Sequence, residues 1–155
     1  MNKPANLQDI IDAIEMQFDE TRNFLNLKTG EVITVSVEAL RAAEEEEPFD
    51  DLPDWQQEEI EIAIDVVENF ENYKHLPMTY DINEYGMMEN FCYELKNEEQ
   101  QDGLLDAIRG RGAFRRFKDK VIYYGIEQEW YAFRDEQYKQ VAINWCNDHE
   151  IQYRE

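Results

Sequence analysis

Residues that commonly carry catalysis are scarce in this sequence of 155 residues. It contains one serine, Ser36, together with two histidines and two cysteines. It has no HExxH motif, no phosphate-binding glycine-rich loop with its lysine and no dinucleotide fingerprint. The 36 acidic residues are too numerous for an acid–base pair to be located among them. We therefore nominate no catalytic residue and no cofactor.

Long hydrophobic runs and paired cysteines are also missing. No apolar run approaches the length of a membrane span, and the first residues lack the apolar core of a signal peptide. Cys92 and Cys146 have no metal-type spacing and lie in apolar helical stretches, which predicts two buried free thiols. These features predict a cytoplasmic protein that does not enter a membrane.

Basic residues are few as well, with 15 against 36 acidic ones and a formal charge of −21. That charge disfavours attraction to nucleic acid and to anionic membranes. Residues 44–61 hold ten acidic side chains and no basic one, and Pro48 and Pro53 interrupt them. We expect a mobile acidic segment near residues 44–54. It lacks the ligand pattern of a calcium loop, so we predict no metal site, although an acidic surface can also imitate DNA and occupy a basic protein.

The hydrophobic fraction of 43%, with few glycines and prolines, suffices for one folded domain over residues 1–155. Apolar spacing predicts an α+β, predominantly α-helical fold, with about six or seven helices packed against one β-hairpin. The hairpin spans residues 23–35 around Gly30, and its outer edge can pair with a second copy to form a homodimer. The predicted helices cover residues 6–18, 54–70, 81–95, 97–109, 113–124 and 127–148.

The helix starts and the core are also predicted. Asp54 with Gln57, and Asp81 with Glu84, are spaced as helix caps, as is Asn97 with Gln100. Helical spacing further predicts one shared core of large apolar side chains on the last two helices. Its members are Phe114, Phe117, Val121, Trp130, Phe133 and Trp145.

One segment differs from its acidic surroundings. Residues 109–120 hold six basic side chains and one acidic one, a net charge of +5 that leaves −26 for the rest of the chain. Three of its arginines crowd the positive end of a helix dipole, where an anion should compensate them. Free backbone N–H groups and guanidinium groups there can bind a carboxylate or a phosphate. The candidate anion- or partner-binding residues are Arg109, Arg111, Gly112, Arg115, Arg116 and Lys118.

Several interpretations of this basic segment stay open. The compensating anion can belong to the protein itself, as a carboxylate of the acidic segment or of the last helix. The two helices joined by a glycine-rich turn also resemble a helix-turn-helix in outline, which would suit nucleic-acid binding. A small enzyme acting on an anionic metabolite is another alternative. We favour a non-catalytic interaction or regulatory module that binds an anionic group of a protein partner, or a small anion, through this segment.

The same segment carries a family resemblance. The run Gly110-Arg111-Gly112-Ala113-Phe114-Arg115-Arg116-Phe117-Lys118-Asp119, followed by Trp130-Tyr131-Ala132-Phe133-Arg134, resembles a bacterial group known as uncharacterised protein family 0158. Lys28-Thr29-Gly30-Glu31 and Met88-Glu89-Asn90-Phe91 fit the same pattern. The resemblance implies a single bacterial domain. It brings no assigned activity, substrate or cofactor, so it leaves the function open.

Overall fold

The fold is α+β and predominantly helical, as the sequence predicts. The structure is a computed structural model that describes residues 2–155. Over these residues it has seven α-helices and five short β-strands. The chain forms two compact units. The first comprises the residues up to Thr79 together with Val141–Glu155, and the second comprises Tyr80–Gln140.

The first unit holds two small sheets and three complete helices. Its strands are β1 (Ala5–Asn6), β2 (Thr21–Asn26), β3 (Val32–Ser36), β4 (Tyr73–His75) and β5 (Tyr153–Arg154). Its complete helices are α1 (Leu7–Glu15), α2 (Val37–Glu44) and α3 (Asp54–Glu68). Strand β1 pairs in parallel with β5, and β2 lies between β3 and β4 in an antiparallel sheet.

The predicted hairpin is confirmed as β2 and β3, with the turn at Gly30. Gly30 has a positive φ of 76°, and a Cβ there would lie 2.3 Å from the carbonyl oxygen of Pro4. Glycine is therefore needed for both conformation and space. Sequence reasoning missed β4, which pairs with the other side of β2, so β3 is the hairpin strand that lies at an edge of the sheet.

Helix α2 also went unpredicted, and it packs on α3 through small side chains. Ser36 caps its first turn by accepting a hydrogen bond from the backbone N–H of Ala39. The buried residues of this cluster are Val35, Ala39, Ala42, Ala43, Ile60 and Ala63. The helix has eight residues, and its buried side chains are alanines, which are smaller than the large apolar side chains that mark the predicted helices.

Two predicted helix starts differ in the structure. Helix α3 begins after Pro53, and the Gln57 side chain donates backward to the carbonyl oxygens of Asp50 and Leu52 at 3.1 and 2.7 Å. Asp54 and Gln57 therefore do not form the expected reciprocal cap. Asn83, which accepts from the backbone N–H of Gly86 at 2.9 Å, caps the next helix in place of Asp81.

The second unit contains α4 (Glu84–Glu94), α5 (Glu98–Ala107), α6 (Ala113–Tyr123) and most of α7, which runs from Glu127 to Asp148 into the first unit. The last two helices lie where the sequence predicts them. Asn97 caps α5 as expected, by accepting from the backbone N–H of Gln100. Gly125 follows α6 with a positive φ of 68°, as the predicted helix stop requires.

Aromatic rings form the core of the second unit. The Phe117 and Trp130 ring centroids lie 4.8 Å apart, and Phe91 lies 5.4 Å from both Trp130 and Phe133. The predicted core is wrong at Phe114. This residue is 54% exposed, because the buried row of α6 is Ala113, Phe117 and Val121. Trp145 is buried, as predicted, and it belongs to the first unit.

Among residues 2–155, no helix combines the length and the apolar composition that are needed to cross a lipid bilayer.

Candidate functional site

Two left-handed glycines shape the turn that joins α5 to α6 in the basic segment. Gly110 and Gly112 have φ values of 73° and 76°, which residues other than glycine rarely adopt. A Cβ on Gly112 would also lie 3.0 Å from the Nη1 atom of Arg116, whereas Gly110 has open space around it. Gly112 therefore serves both the turn geometry and the placement of the Arg116 guanidinium.

Arg116 folds back onto this turn and binds three backbone carbonyl groups. Its Nε donates to the carbonyl oxygen of Ala107 at 2.8 Å, and its two terminal nitrogens donate to the carbonyl oxygens of Arg111 and Arg109. The carbonyl groups at the end of α5 form the negative end of a helix dipole. They supply the compensation that Arg116 needs at the start of α6. Its role is to fasten the turn, because three of its five N–H donors bind carbonyl groups of the chain itself.

The other cations of the segment are differently placed. Arg109 lies 3.9 Å from Asp106 in an ion pair whose side chains are about 80% exposed. Asp106 lies on α5, so this internal pair uses neither of the two carboxylate sources that the sequence suggested, the acidic segment and the last helix. Within residues 2–155, Arg111, Arg115 and Lys118 are exposed, and their side chains make no hydrogen bond or ion pair. These three cations face solvent with their donors available.

A cleft of about 480 Å³ lies between α5 and α6 on one flank of the segment. Its lining residues are Gly103, Asp106, Ala107, Arg116, Asp119, Lys120 and Tyr123. The ammonium group of Lys120 lies 5.2 and 5.5 Å from the ring centroids of Tyr123 and Tyr124, within cation–π range. Two carboxylates line the same cleft, so its charge does not favour a small anion.

The opposite flank of α6 has a different character. Phe114, Lys118 and Ile122 follow one another at four-residue spacing, and Arg115 lies beside them. Phe114 is 54% exposed and Ile122 is 49% exposed. We call these four residues the outer face of α6. It combines apolar surface with two cations. Sequence reasoning found the cations but placed Phe114 in the core and did not select Ile122.

The cysteines and histidines are not part of the basic segment. Burial raises the pKa of both the Cys92 and the Cys146 thiols to about 11, which disfavours the nucleophilic thiolate. Both are free and buried, as predicted. The His75 ring nitrogen Nδ1 lies 2.6 Å from the carbonyl oxygen of Leu76, and His149 packs against Trp145. Among residues 2–155, no group of three or more His, Cys, Asp or Glu side chains is arranged to hold a metal ion.

Fold and surface together define a small, predominantly helical α+β protein with an exposed basic and apolar helix face. Residues 2–154 match UPF0158, an uncharacterised protein family, and the chain belongs to that family. A UPF0158 protein of Pseudomonas aeruginosa is 29% identical over 68 residues, which cover 43% of this chain. The match covers 44% of that relative's length. No solved structure matches this chain.

Proposed function

We propose that this protein is a non-catalytic interaction module of the bacterial cytoplasm. In this proposal the outer face of α6 binds an acidic, amphipathic segment of a partner protein. The observation that carries it is the exposure of Phe114 and Ile122 beside cations that have no partner among residues 2–155. A partner that covers these half-exposed apolar side chains removes them from water, which lowers the free energy of the complex. Two buried free thiols agree with a reducing compartment.

The character of the face favours a peptide over a phosphate or a polynucleotide. Arg115 and Lys118 can each pair with a carboxylate, while the neighbouring apolar side chains need an apolar counterpart. Inorganic phosphate offers no such counterpart. A nucleic acid carries dense charge along its whole length, and the remaining −26 charges of the chain repel it. A short segment with a few carboxylates avoids most of that repulsion at physiological salt.

The test is a titration with defined probes. The probes are a synthetic helical peptide of glutamate and leucine at helical spacing, a single-stranded RNA of matched charge, and inorganic phosphate. We expect the peptide to shift the backbone amide resonances of α6 and the other two probes to leave them in place. The double variant Arg115→Glu/Lys118→Glu should weaken peptide binding by about tenfold or more, as expected when central interface charges are reversed.

Lys96→Glu is the matched control, because Lys96 is an exposed lysine of the same unit outside the basic segment. It should bind the peptide as the wild type does. If RNA shifts α6 in place of the peptide, the face is a nucleic-acid interface. Saturable binding of phosphate alone would instead identify a small-anion site. If no probe shifts α6, the proposal is wrong.

A further inference from the structure

A second surface lies in the first unit, where the acidic segment packs beside α2 and α3. A groove of about 470 Å³ opens there, a size typical of ligand and side-chain pockets. Ala39, Ala42 and Ile60 contribute buried apolar side chains to its floor. Pro48 and Leu52 contribute apolar surface from the acidic segment itself. The acidic segment therefore builds one wall of an apolar groove.

Trp55 lines this groove and is unusual among the tryptophans. Its side chain is 63% exposed, whereas Trp130 and Trp145 are 7% and 8% exposed. Leu52 beside it is 38% exposed. A large indole left open to water next to an apolar floor is a costly arrangement for a free protein. Tryptophan is also the residue most enriched at the energetic centres of protein interfaces.

The rim of the groove is acidic and ordered by hydrogen bonds. Arg41 binds Glu38, Glu45 and Glu47 with nitrogen–oxygen distances of 2.5, 2.6 and 2.5 Å. Three carboxylates against one guanidinium leave a local charge of −2. On the α3 side, a Glu59 carboxylate oxygen accepts from the backbone N–H of Ser36 at 2.8 Å. Carboxylates of the rim thus already have hydrogen-bond partners within the free protein.

We propose that this groove docks a basic, amphipathic segment of a partner protein. An aliphatic side chain of that segment enters the floor formed by Ala39, Ala42 and Ile60. An adjacent lysine or arginine lies against the Trp55 indole and faces the acidic rim, which combines a cation–π contact with charge pairing. This site is independent of the outer face of α6, which has the opposite charge.

Charge complementarity decides the occupant. The rim is acidic, and the chain as a whole carries −21, so a basic segment is attracted both at contact and at longer range. A second copy of this chain offers the basic and apolar outer face of α6, but its overall charge of −21 opposes a dimer at long range. An acidic peptide of the kind proposed for α6 meets like charge at the rim. The groove therefore suits a basic segment of a different protein.

The test uses two synthetic peptides with the same arginine content, one with leucines at helical spacing and one with serines at those positions. Calorimetry measures their affinity, and fluorescence reports the environment of the exposed Trp55. The leucine peptide should bind about tenfold more tightly and shift the emission to shorter wavelength, because an apolar partner removes water from the indole. Affinity should fall as salt is added.

Two variants locate the binding. Trp55→Ala should weaken the leucine peptide by about tenfold, the loss expected for an aromatic anchor. Leu52→Ser should weaken the leucine peptide more than the serine peptide. Tyr93→Ala is the matched control, since Tyr93 is 64% exposed and belongs to the other unit. Circular dichroism melting establishes that each variant is folded.

Three results would overturn the proposal. Equal affinity for the two peptides would show a general charge effect without use of the apolar floor. Unchanged binding by Trp55→Ala would place the peptide elsewhere. Sedimentation that shows a dimer of the wild type, lost in Trp55→Ala, would assign the groove to a second copy.

Discussion

The acidic residues 44–61 and the basic residues 109–120 are opposite extremes of charge, and an arginine organises the structure around each of them. Arg41 gathers three carboxylates at the edge of the acidic segment. Arg116 gathers three backbone carbonyl groups inside the basic one. In the first case the arginine reduces repulsion among like charges. In the second, the Arg116 guanidinium binds the turn between α5 and α6 through three carbonyl groups. We call these contacts the clamp.

The two regions also differ in how they expose apolar surface. Around the acidic segment that surface lines a groove, with Trp55 and Leu52 on its wall. On the basic segment it forms a row on the outside of a helix, at Phe114 and Ile122. The groove receives side chains of its partner, whereas the row on α6 packs along the apolar face of an acidic segment. We therefore predict two partners of opposite charge.

The largest expected effect comes from breaking the clamp in the basic region. Arg116→Glu removes the donors to the carbonyl oxygens of Ala107, Arg109 and Arg111 and places a negative charge beside them. Hydrogen bonds from a charged donor are worth about 1.5–3 kcal/mol each when buried. Because this side chain is partly open to solvent, we expect a total loss of about 2 kcal/mol in the free energy of unfolding.

Urea unfolding followed by circular dichroism measures this loss. Lys118→Glu is the control, because Lys118 lies on the same helix and has no recorded partner among residues 2–155. Its reversal should change stability by less than about 0.5 kcal/mol, as is usual for exposed substitutions. A loss below that limit for Arg116→Glu as well would contradict the clamp.

The glycines of the same turn should give the next largest effect. Gly112→Ala imposes a left-handed conformation on alanine, at a cost of about 1–2 kcal/mol, and also brings a methyl group to 3.0 Å from the Arg116 guanidinium. Gly110→Ala carries the conformational cost alone, because nothing lies within 4 Å of its added carbon. Thermal melting should rank Gly112→Ala below Gly110→Ala, and both below the wild type. Equal melting temperatures for the two variants would show that the guanidinium moves aside without cost.

Sequence reasoning recovered the features that leave periodic or capping patterns and missed those that depend on packing. The hairpin, the Asn97 cap and helix α7 are each marked by local residues, and they are where the sequence predicts them. Strand β4 has three residues and exists because β2 offers it a partner, so no local pattern marks it. Phe114 and Phe117 lie three positions apart, and spacing alone does not tell which of them faces the core.

The candidate site was also predictable only where a local pattern marks it. Composition identified the basic segment, but Arg115 and Arg116 are adjacent residues of the same type with different surroundings. The turn at Gly112 brings the carbonyl groups of α5 to Arg116 and leaves Arg115 in solvent. That difference arises from three-dimensional placement. Whether residues 44–54 are mobile stays a prediction that amide hydrogen exchange can check.

A smaller effect is expected from the arginine of the acidic region. Arg41→Ala should lower the melting temperature at low salt, because it leaves Glu38, Glu45 and Glu47 to repel one another. The difference from the wild type should shrink in 1 M salt, at which the Debye screening length is only about 3 Å. Lys74→Ala, an exposed lysine of the same unit, is the control and should show neither change.

The Arg41 contribution should also depend on pH. The hydrogen bond from Arg41 lowers the pKa of the Glu47 carboxyl below its usual value of 4.5. A group whose pKa is lowered on folding stabilises the protein above its unfolded pKa, and this contribution disappears as pH falls through the folded value. The melting temperatures of the wild type and Arg41→Ala should therefore converge as pH falls from 4.5 through the lowered pKa of Glu47. A gap that stays constant in acid would mean that Arg41 stabilises the protein through packing.

The smallest effect on stability is expected at Arg115, where the outcome separates structure from binding. Arg115 lies in the first turn of α6, at the positive end of the helix dipole, and has no recorded partner among residues 2–155. Arg115→Glu replaces an unfavourable interaction with a favourable one, so the free energy of unfolding should hold or rise by about 0.3–1 kcal/mol. Affinity for the acidic peptide should fall in the same variant. Arg116→Glu should instead show a large fall in the free energy of unfolding. A fall in melting temperature for Arg115→Glu that matches the Arg116 variant would show that Arg115 serves the fold and would remove it from the proposed interface.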